Sequence, residues 1–280
     1  MNKKSFIYLA ASLLVFVSCK GKLDDISGDV FDYPLEMTFY ASNEAHARTL
    51  LNDESILWES SDRIKVLWGE NQYNVAASKP YNSGLNAEFT TTVDPASAYF
   101  GVYPHSAVSS LSDCILDVKV PKTQTGLFSD ANIAVSKADE QNNMFFIHVV
   151  SWLEFTIDRT GVLTFSSRTG APLTGTVSIK EFGADGDLMY DVVGESSVVT
   201  LDIKSSGTYY IALLPDVKLE GLSFTLIEDV RQEYASSPNN VQMVPGKLVA
   251  LGNITERFGK KNDFGSSLEQ LIEDDVLFDW

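Results

Sequence analysis

The chain has 280 residues, enough for one large domain or two of medium size. Apolar residues make up 44% and aromatics 11%, which a disordered or collagen-like chain does not have. Lys and Arg number 21 against 38 Asp and Glu, a formal charge of −17, and so acidic a chain is a poor partner for nucleic acid, whose phosphates need a basic face.

The N-terminus reads as an address. Met1-Asn2-Lys3-Lys4 is a short basic head, and Phe6 to Val17 is an apolar run broken only by Ser12. A membrane-spanning helix needs about 20 apolar residues, so this run is too short and fits an export signal instead. The cut region Phe16-Val17-Ser18-Cys19 places a small residue before cysteine, the lipoprotein signal-peptidase pattern, although Phe16 stands where Leu is usual. The reading is a signal peptide over 1–18 with Cys19 as the lipidated first residue of the mature chain. Acyl chains on Cys19 would hold the protein durably, at about 0.8 kcal/mol per buried CH₂. Residues 19–33 follow as a flexible tether with an acidic pair, Asp24-Asp25.

From Leu35 onward alternation with period two dominates. Leu35, Met37 and Phe39 share one face of a strand. Cys114, Leu116, Val118 and Val120 share another, which places Cys114 inward as a small buried hydrophobe. Ser151/Leu153/Phe155/Ile157, Val177/Ile179, Val199/Leu201/Ile203 and Leu222/Phe224/Leu226 repeat the pattern. Turn signals separate them at Asn82-Ser83-Gly84, Asp158 to Gly161, Asp185-Gly186 and Ser205-Ser206-Gly207. Many short strands with regular turns predict an all-β chain of antiparallel sandwiches.

A six-residue echo suggests two related units. Tyr99 to Pro104 and Tyr210 to Pro215 have the same Tyr-to-Pro spacing. The polar stretch Ser136 to Asn143 is the natural boundary, giving an N-terminal sandwich over 34–143 and a C-terminal one over 144–254. The tail, 255–280, departs from the strand pattern. Phe258 to Phe264 reads as a linker, and Ser266 with Glu269 has capping-box spacing before a stripe of Leu268, Leu271, Ile272 and Val276. Helix and strand both remain open for it, as do docking on its own chain and binding to another subunit.

Chemical motifs are absent. There is no Gly-x-Ser-x-Gly elbow, His-Glu-x-x-His, Gly-x-Gly-x-x-Gly or phosphate-binding Gly-Lys-Ser/Thr loop. His46, His105 and His148 match no ligand spacing, and two cysteines make neither a disulfide framework nor a four-cysteine zinc site. Asp185-Gly186-Asp187 lacks the ligand series of a calcium loop. No cofactor, metal or catalytic residue is expected, so the chain reads as a non-enzyme. Trp58, Trp68 and Trp152 lie in strand-like contexts where core packing, not sugar stacking, is the default.

Taken in order, the segments resemble a known family. Leu57-Trp58 to Val66 has the form W-x-x-x-D-x-I-x-V, and Tyr99 to Pro104 has the form Y-x-x-x-Y-P. Pro121 to Thr125 has the form P-x-x-Q-T, and Phe146 to Phe155 has the form F-x-H-x-x-S-x-L-x-F. Together with the strand Met37 to Ala41 and the segment Ala131 to Ser136, these resemble the fimbrillin-like surface lipoproteins of anaerobic Gram-negative bacteria. The resemblance implies two transthyretin-like Greek-key sandwich domains, an outer-membrane or fimbrial location, and a role as fimbrial subunit or tip adhesin. Its implied partners are other fimbrial subunits or surface ligands.

It also implies assembly by strand addition. A protease cuts after an arginine, the first strand leaves, and a strand of the next subunit takes its place. In this chain Arg48 is the candidate cut site and Leu35, Met37 and Phe39 are the candidate exchanged knobs. An incoming strand gains a row of backbone hydrogen bonds and alternate side-chain pockets. Five buried anchors would supply about 7–15 kcal/mol gross before ordering costs. The alternative is a surface glycan-binding lipoprotein of a nutrient-uptake system, which calls for a monomer with a patch of exposed aromatics.

Overall fold

The computed structural model describes residues 33–42, 50–51, 54–55, 57–183, 187–228 and 231–258. The signal peptide, Cys19, the tether as far as position 32, Arg48, His46, the Asp185-Gly186 turn and the tail from position 259 lie outside the described residues.

The strands run β1 Leu35–Ser42, β2 Leu50–Leu51, β3 Glu54–Ser55, β4 Arg63–Trp68, β5 Gln72–Tyr81, β6 Asn86–Val93 and β7 Phe100–Tyr103. Then come β8 Ser109–Ser112, β9 Ile115–Val120, β10 Thr123–Gln124, the single helical turn α1 Phe128–Ala131, β11 Ala134–Lys137, β12 Asn143–Phe145 and β13 Ile147–His148. The remainder is β14 Ser151–Ile157, β15 Gly161–Ser167, β16 Thr174–Phe182, β17 Leu188–Ser196, β18 Val198–Ile203, β19 Gly207–Leu213, β20 Lys218–Glu228, β21 Arg231–Gln242 and β22 Leu248–Asn253. The chain is therefore all-β, as the alternation predicts, and nearly all its pairings are antiparallel.

One eight-stranded sheet has the order β12-β1-β6-β5-β4-β7-β11-β13. Its inner face carries one core, including Phe39, Ala41, Trp58, Ile64, Val66, Phe89, Met144 and Phe146. Three further sheets, β10-β18-β15-β20-β21, β19-β14-β22 and β17-β16-β9-β8, enclose a second and larger core. The alternating residues read from the sequence line that core: Leu116, Val118, Val120, Leu153, Phe155, Val177, Leu201, Phe224 and Leu226 are all buried. Trp58, Trp68 and Trp152 are buried too, so packing and not display is their role.

Strands from both sides of position 143 share sheets. β9 pairs β16 from Leu116↔Ile179 to Val120↔Gly175, and β10 pairs β18 in parallel. In the other direction β12 and β13 complete the first sheet. Gln124 stitches the join: its amide donates to the Ala212 carbonyl and its side-chain oxygen accepts the Ala212 N–H, both at 2.8 Å. That pair of bonds imitates a strand neighbour for β19, whose edge would otherwise hold unpaired backbone groups.

The segments that carried the resemblance have physical reasons to exist. Trp58 sits edge-on to Phe89, Tyr103 and Phe146, with centroids 5.2–5.4 Å away. Asp62 accepts the Tyr103 hydroxyl at 2.9 Å and the Glu59 N–H at 2.7 Å, so the first two motifs are bonded to each other. The echo is corrected by one residue: it aligns Tyr99 with Tyr210, but the tyrosine bonded like Tyr99 is Tyr209. The Tyr99 hydroxyl donates to the Asp94 carbonyl and accepts the Ala96 N–H. The Tyr209 hydroxyl donates to the Ser205 carbonyl and accepts the Ser205 N–H. Each tyrosine thus ties the start of its strand, β7 or β19, to the backbone just upstream, the arrangement called a tyrosine corner.

Two sequence expectations are corrected. Cys114 does not share the inward face of Leu116; it is half-buried in a two-residue turn joining β8 to β9. Asp113 and Cys114 both have positive φ, 49° and 63°, the geometry of a type I′ hairpin, which cysteine does not advertise. Phe258 is not linker: it is buried in the second core, with the Arg159 guanidinium 5.7 Å from its ring centroid and Glu228 paired to that arginine.

Candidate functional site: the first strand and its groove

β1 forms because its residues alternate. Phe39 and Ala41 point into the first core, and Thr38 and Tyr40 point out. Pro34, just ahead of it, lacks an N–H and suits a strand's first position. One edge of β1 is fully paired, antiparallel to β6 from Leu35↔Val93 to Ser42↔Asn86. The other edge meets β12 in parallel over three residues only, Tyr40↔Asn143, Ala41↔Met144 and Ser42↔Phe145. The Tyr40 N–H adds a bond to the Asn142 carbonyl at 3.0 Å. Along Leu35 to Phe39 that second edge has no strand neighbour among the described residues.

The knobs are graded. Leu35 is 40% exposed, Met37 is half-buried and Phe39 is fully buried. Phe39 meets the Tyr99 ring edge-on at 5.6 Å and lies opposite Phe89 in register. Ala41, beyond the three candidate knobs, is as deeply buried as Phe39; its signal was the alternation carried one step further. Two full anchors and one partial one give roughly 3–5 kcal/mol of apolar burial, less than the five anchors expected. Backbone pairing therefore carries a larger share of what holds β1.

The short partner β12 is positioned by Asp139. Its carboxylate accepts the backbone N–H groups of Gln141 and Asn143 and the Asn143 side-chain amide, each at 2.8 Å. Burial acts to raise its pKa, but those hydrogen bonds outweigh it and hold the carboxyl below its ordinary value. Nothing in the sequence singled out Asp139, because its partners lie in its own loop and form no spaced motif.

Among the described residues no group of three or more His, Cys, Asp or Glu could hold a metal ion. His105 is exposed beyond β7, whereas His148 is buried against Trp152, with ring centroids 5.0 Å apart. A cavity of about 290 Å³ opens near Val108 and Leu127. Most of its longer polar side chains are already committed, Gln124 to Ala212, Asp130 to Thr125 and Lys119 to Glu195. Burial shifts two tyrosine hydroxyls upward. Tyr103 is raised by burial and then by Asp62, and Tyr210 is pushed up to about 12 by burial and by the Glu154 carboxylate.

Cys19 and Arg48 lie outside the described residues. No family model matches the chain and no curated protein does. Among solved structures it is similar to a protein assigned to cell adhesion from Bacteroides ovatus, with 11% identity, 80% of this chain and 93% of that chain covered, and a TM-score of 0.47. A fimbrial assembly protein from Parabacteroides distasonis aligns at 10% identity over 79% and 91%, with a TM-score of 0.34. A protein assigned to cell adhesion from Bacteroides thetaiotaomicron aligns at 9% over 82% and 96%, with a TM-score of 0.36.

Proposed function

We propose that the chain is a non-catalytic, lipid-anchored fimbrial subunit or tip component of the cell surface that assembles by exchanging its first strand. The observation that carries this reading is the placement of β1. It is the first strand among the described residues, paired along its whole length on one edge and over only three residues on the other. A terminal strand is the one kind that a single backbone cut releases without unthreading the sheet. Its loss would open a groove walled by β6 and β12 and floored by apolar side chains, which an extended segment of another subunit fits.

In this reading Cys19 carries the acyl anchor and Arg48, six residues beyond β1, is the cut site. Residues 34–143 and 144–254 are two units stitched by strands lent across their border. The tail beyond Phe258, which is itself docked in the core, is offered to a neighbouring subunit. N-terminal analysis of the protein taken from cells tests the cut: a form beginning at Thr49 supports it, and protein that always begins at Cys19 refutes it. Palmitate labelling tests the anchor, and an unacylated, freely released chain refutes it. Deletion of Lys260 to Trp280 tests the tail: it abolishes incorporation into filaments while leaving a folded monomer, and unchanged incorporation removes the tail from the mechanism.

A further inference from the structure

The outward face of the first sheet carries a feature that strand exchange does not use. Register places Phe145, Ser42, Asn86 and Tyr81 in one row across β12, β1, β6 and β5. The adjoining row is Asn143, Tyr40, Glu88 and Lys79. Their sequence neighbours Met144, Ala41, Ala87 and Phe89 are buried, so both rows face away from the core. Three rings stand in these rows: Phe145 is 50% exposed, Tyr40 41% and Tyr81 40%. Phe145 and Tyr81 are three strand spacings apart, about 14 Å, and no ring contact joins any two of the three among the described residues.

The spaces between the rings are polar. Ser42 and Asn86 separate Phe145 from Tyr81, and their side chains make no hydrogen bond among the described residues. Beside Tyr40, Lys79 bonds Glu88 at 2.9 Å, so the rows carry no net charge. A protein interface centres on contiguous apolar surface depleted of charge, and Ser42, Asn86, Asn143, Glu88 and Lys79 break that surface here. A pyranose has the matching character: one face of C–H groups that lies on an aromatic ring, and a rim of hydroxyls that pairs with amide, hydroxyl and carboxylate groups. The chain's charge of −17 sets the sign, since a polyanion would be repelled from a surface that has no free cation in these rows.

We infer that this face binds neutral oligosaccharide, with Tyr40, Tyr81 and Phe145 as stacking platforms and Ser42, Asn86 and Glu88 as the groups that read sugar hydroxyls. The ring spacing calls for a chain of several sugars. The site does not depend on assembly, because one monomer supplies all of it. It does depend on β1 remaining seated, because Tyr40 and Ser42 belong to that strand. A subunit that has given up β1 would therefore lose its sugar site, and binding and exchange would be alternatives in the same molecule.

The test is affinity electrophoresis of the intact purified chain through gels holding mannan, galactan, laminarin or xyloglucan, with heparin and polygalacturonate as anionic probes. At least one neutral polysaccharide retards the protein, and the anionic pair does not. Phe145→Ala and Tyr81→Ala each weaken binding about tenfold, the loss of roughly one stacked ring, and together they abolish it. Neither shifts the unfolding temperature, and Tyr73→Ala, an exposed ring farther along β5, leaves binding intact. The inference is overturned if none of the neutral polysaccharides retards the protein, if the double variant still binds, or if the anionic probes bind as well. Failure here leaves the cut at Arg48 untouched, and the absence of that cut leaves this site untouched.

Discussion

Replacing Phe39 by Ala tests how β1 is held. Phe39 is fully buried, faces Phe89 in register and meets Tyr99 edge-on at 5.6 Å. Truncating a buried Phe removes its transfer free energy and leaves a cavity, about 3–5 kcal/mol in total. Of this, about 0.5–1.5 kcal/mol belongs to the ring pair and vanishes if Tyr99 has already been replaced by Leu. Leu35→Ala should cost under about 1 kcal/mol, because that side chain is 40% exposed and only β6 lies beside the strand there. For a body of about 150–250 residues each kcal/mol lowers the unfolding temperature by about 2–4 °C. Phe39→Ala should therefore fall by about 6–20 °C and Leu35→Ala by under about 4 °C in a calorimetric scan. Equal losses would refute the graded anchoring. So would a Phe39→Ala chain that melts normally.

Three further outcomes follow from the geometry. Gln124→Ala leaves the Ala212 N–H and carbonyl without their partner and costs about 2–3 kcal/mol in urea unfolding, and Gln124→Glu does no better because a carboxylate cannot donate to that carbonyl. Asp139 has a folded pKa below its ordinary value of 3.8, so its contribution is complete above that pH and is lost as pH falls through the depressed value; Asp139→Asn should flatten the acid limb of stability against pH, and an unchanged limb would remove Asp139 as the holder of β12. Tyr99→Phe and Tyr209→Phe each lose the bonds of one corner, about 1 kcal/mol apiece by equilibrium unfolding, and because they tie different strands the two losses should add.

Much of the fold was legible because one face of most strands is buried. Leu153, Phe155 and Ile157, or Leu222, Phe224 and Leu226, announce a strand and its inward side together. What period two cannot reveal is which strand lies beside which. The pairing of β9 with β16, or of β12 with β1, joins residues about 60 to 100 positions apart and leaves no local trace. Cys114 was misplaced for a related reason: alternation continued through Asp113 and Cys114, while the backbone turned there with positive φ at two residues that do not demand it.

The candidate site divided along the same line. Phe39 was readable from alternation alone, but the shallow burial of Leu35 depends on its being where β1 has one neighbour, a fact of topology. The tryptophans were correctly read as core, yet the rings of the proposed sugar face, Tyr40, Tyr81 and Phe145, form no motif in the sequence. Each is an ordinary strand aromatic until register sets it beside Ser42, Asn86 and Glu88.

The most direct test of the whole account is to make the chain from Thr49 onward and add a synthetic peptide of residues Tyr33 to Ser42. If β1 is an exchangeable strand in a standing groove, the shortened chain binds the peptide saturably, its unfolding temperature rises with peptide concentration, and a Phe39→Ala peptide binds far more weakly. If the shortened chain folds yet ignores the peptide, or binds the wild-type and Phe39→Ala peptides equally, the groove does not work by lending and accepting a strand.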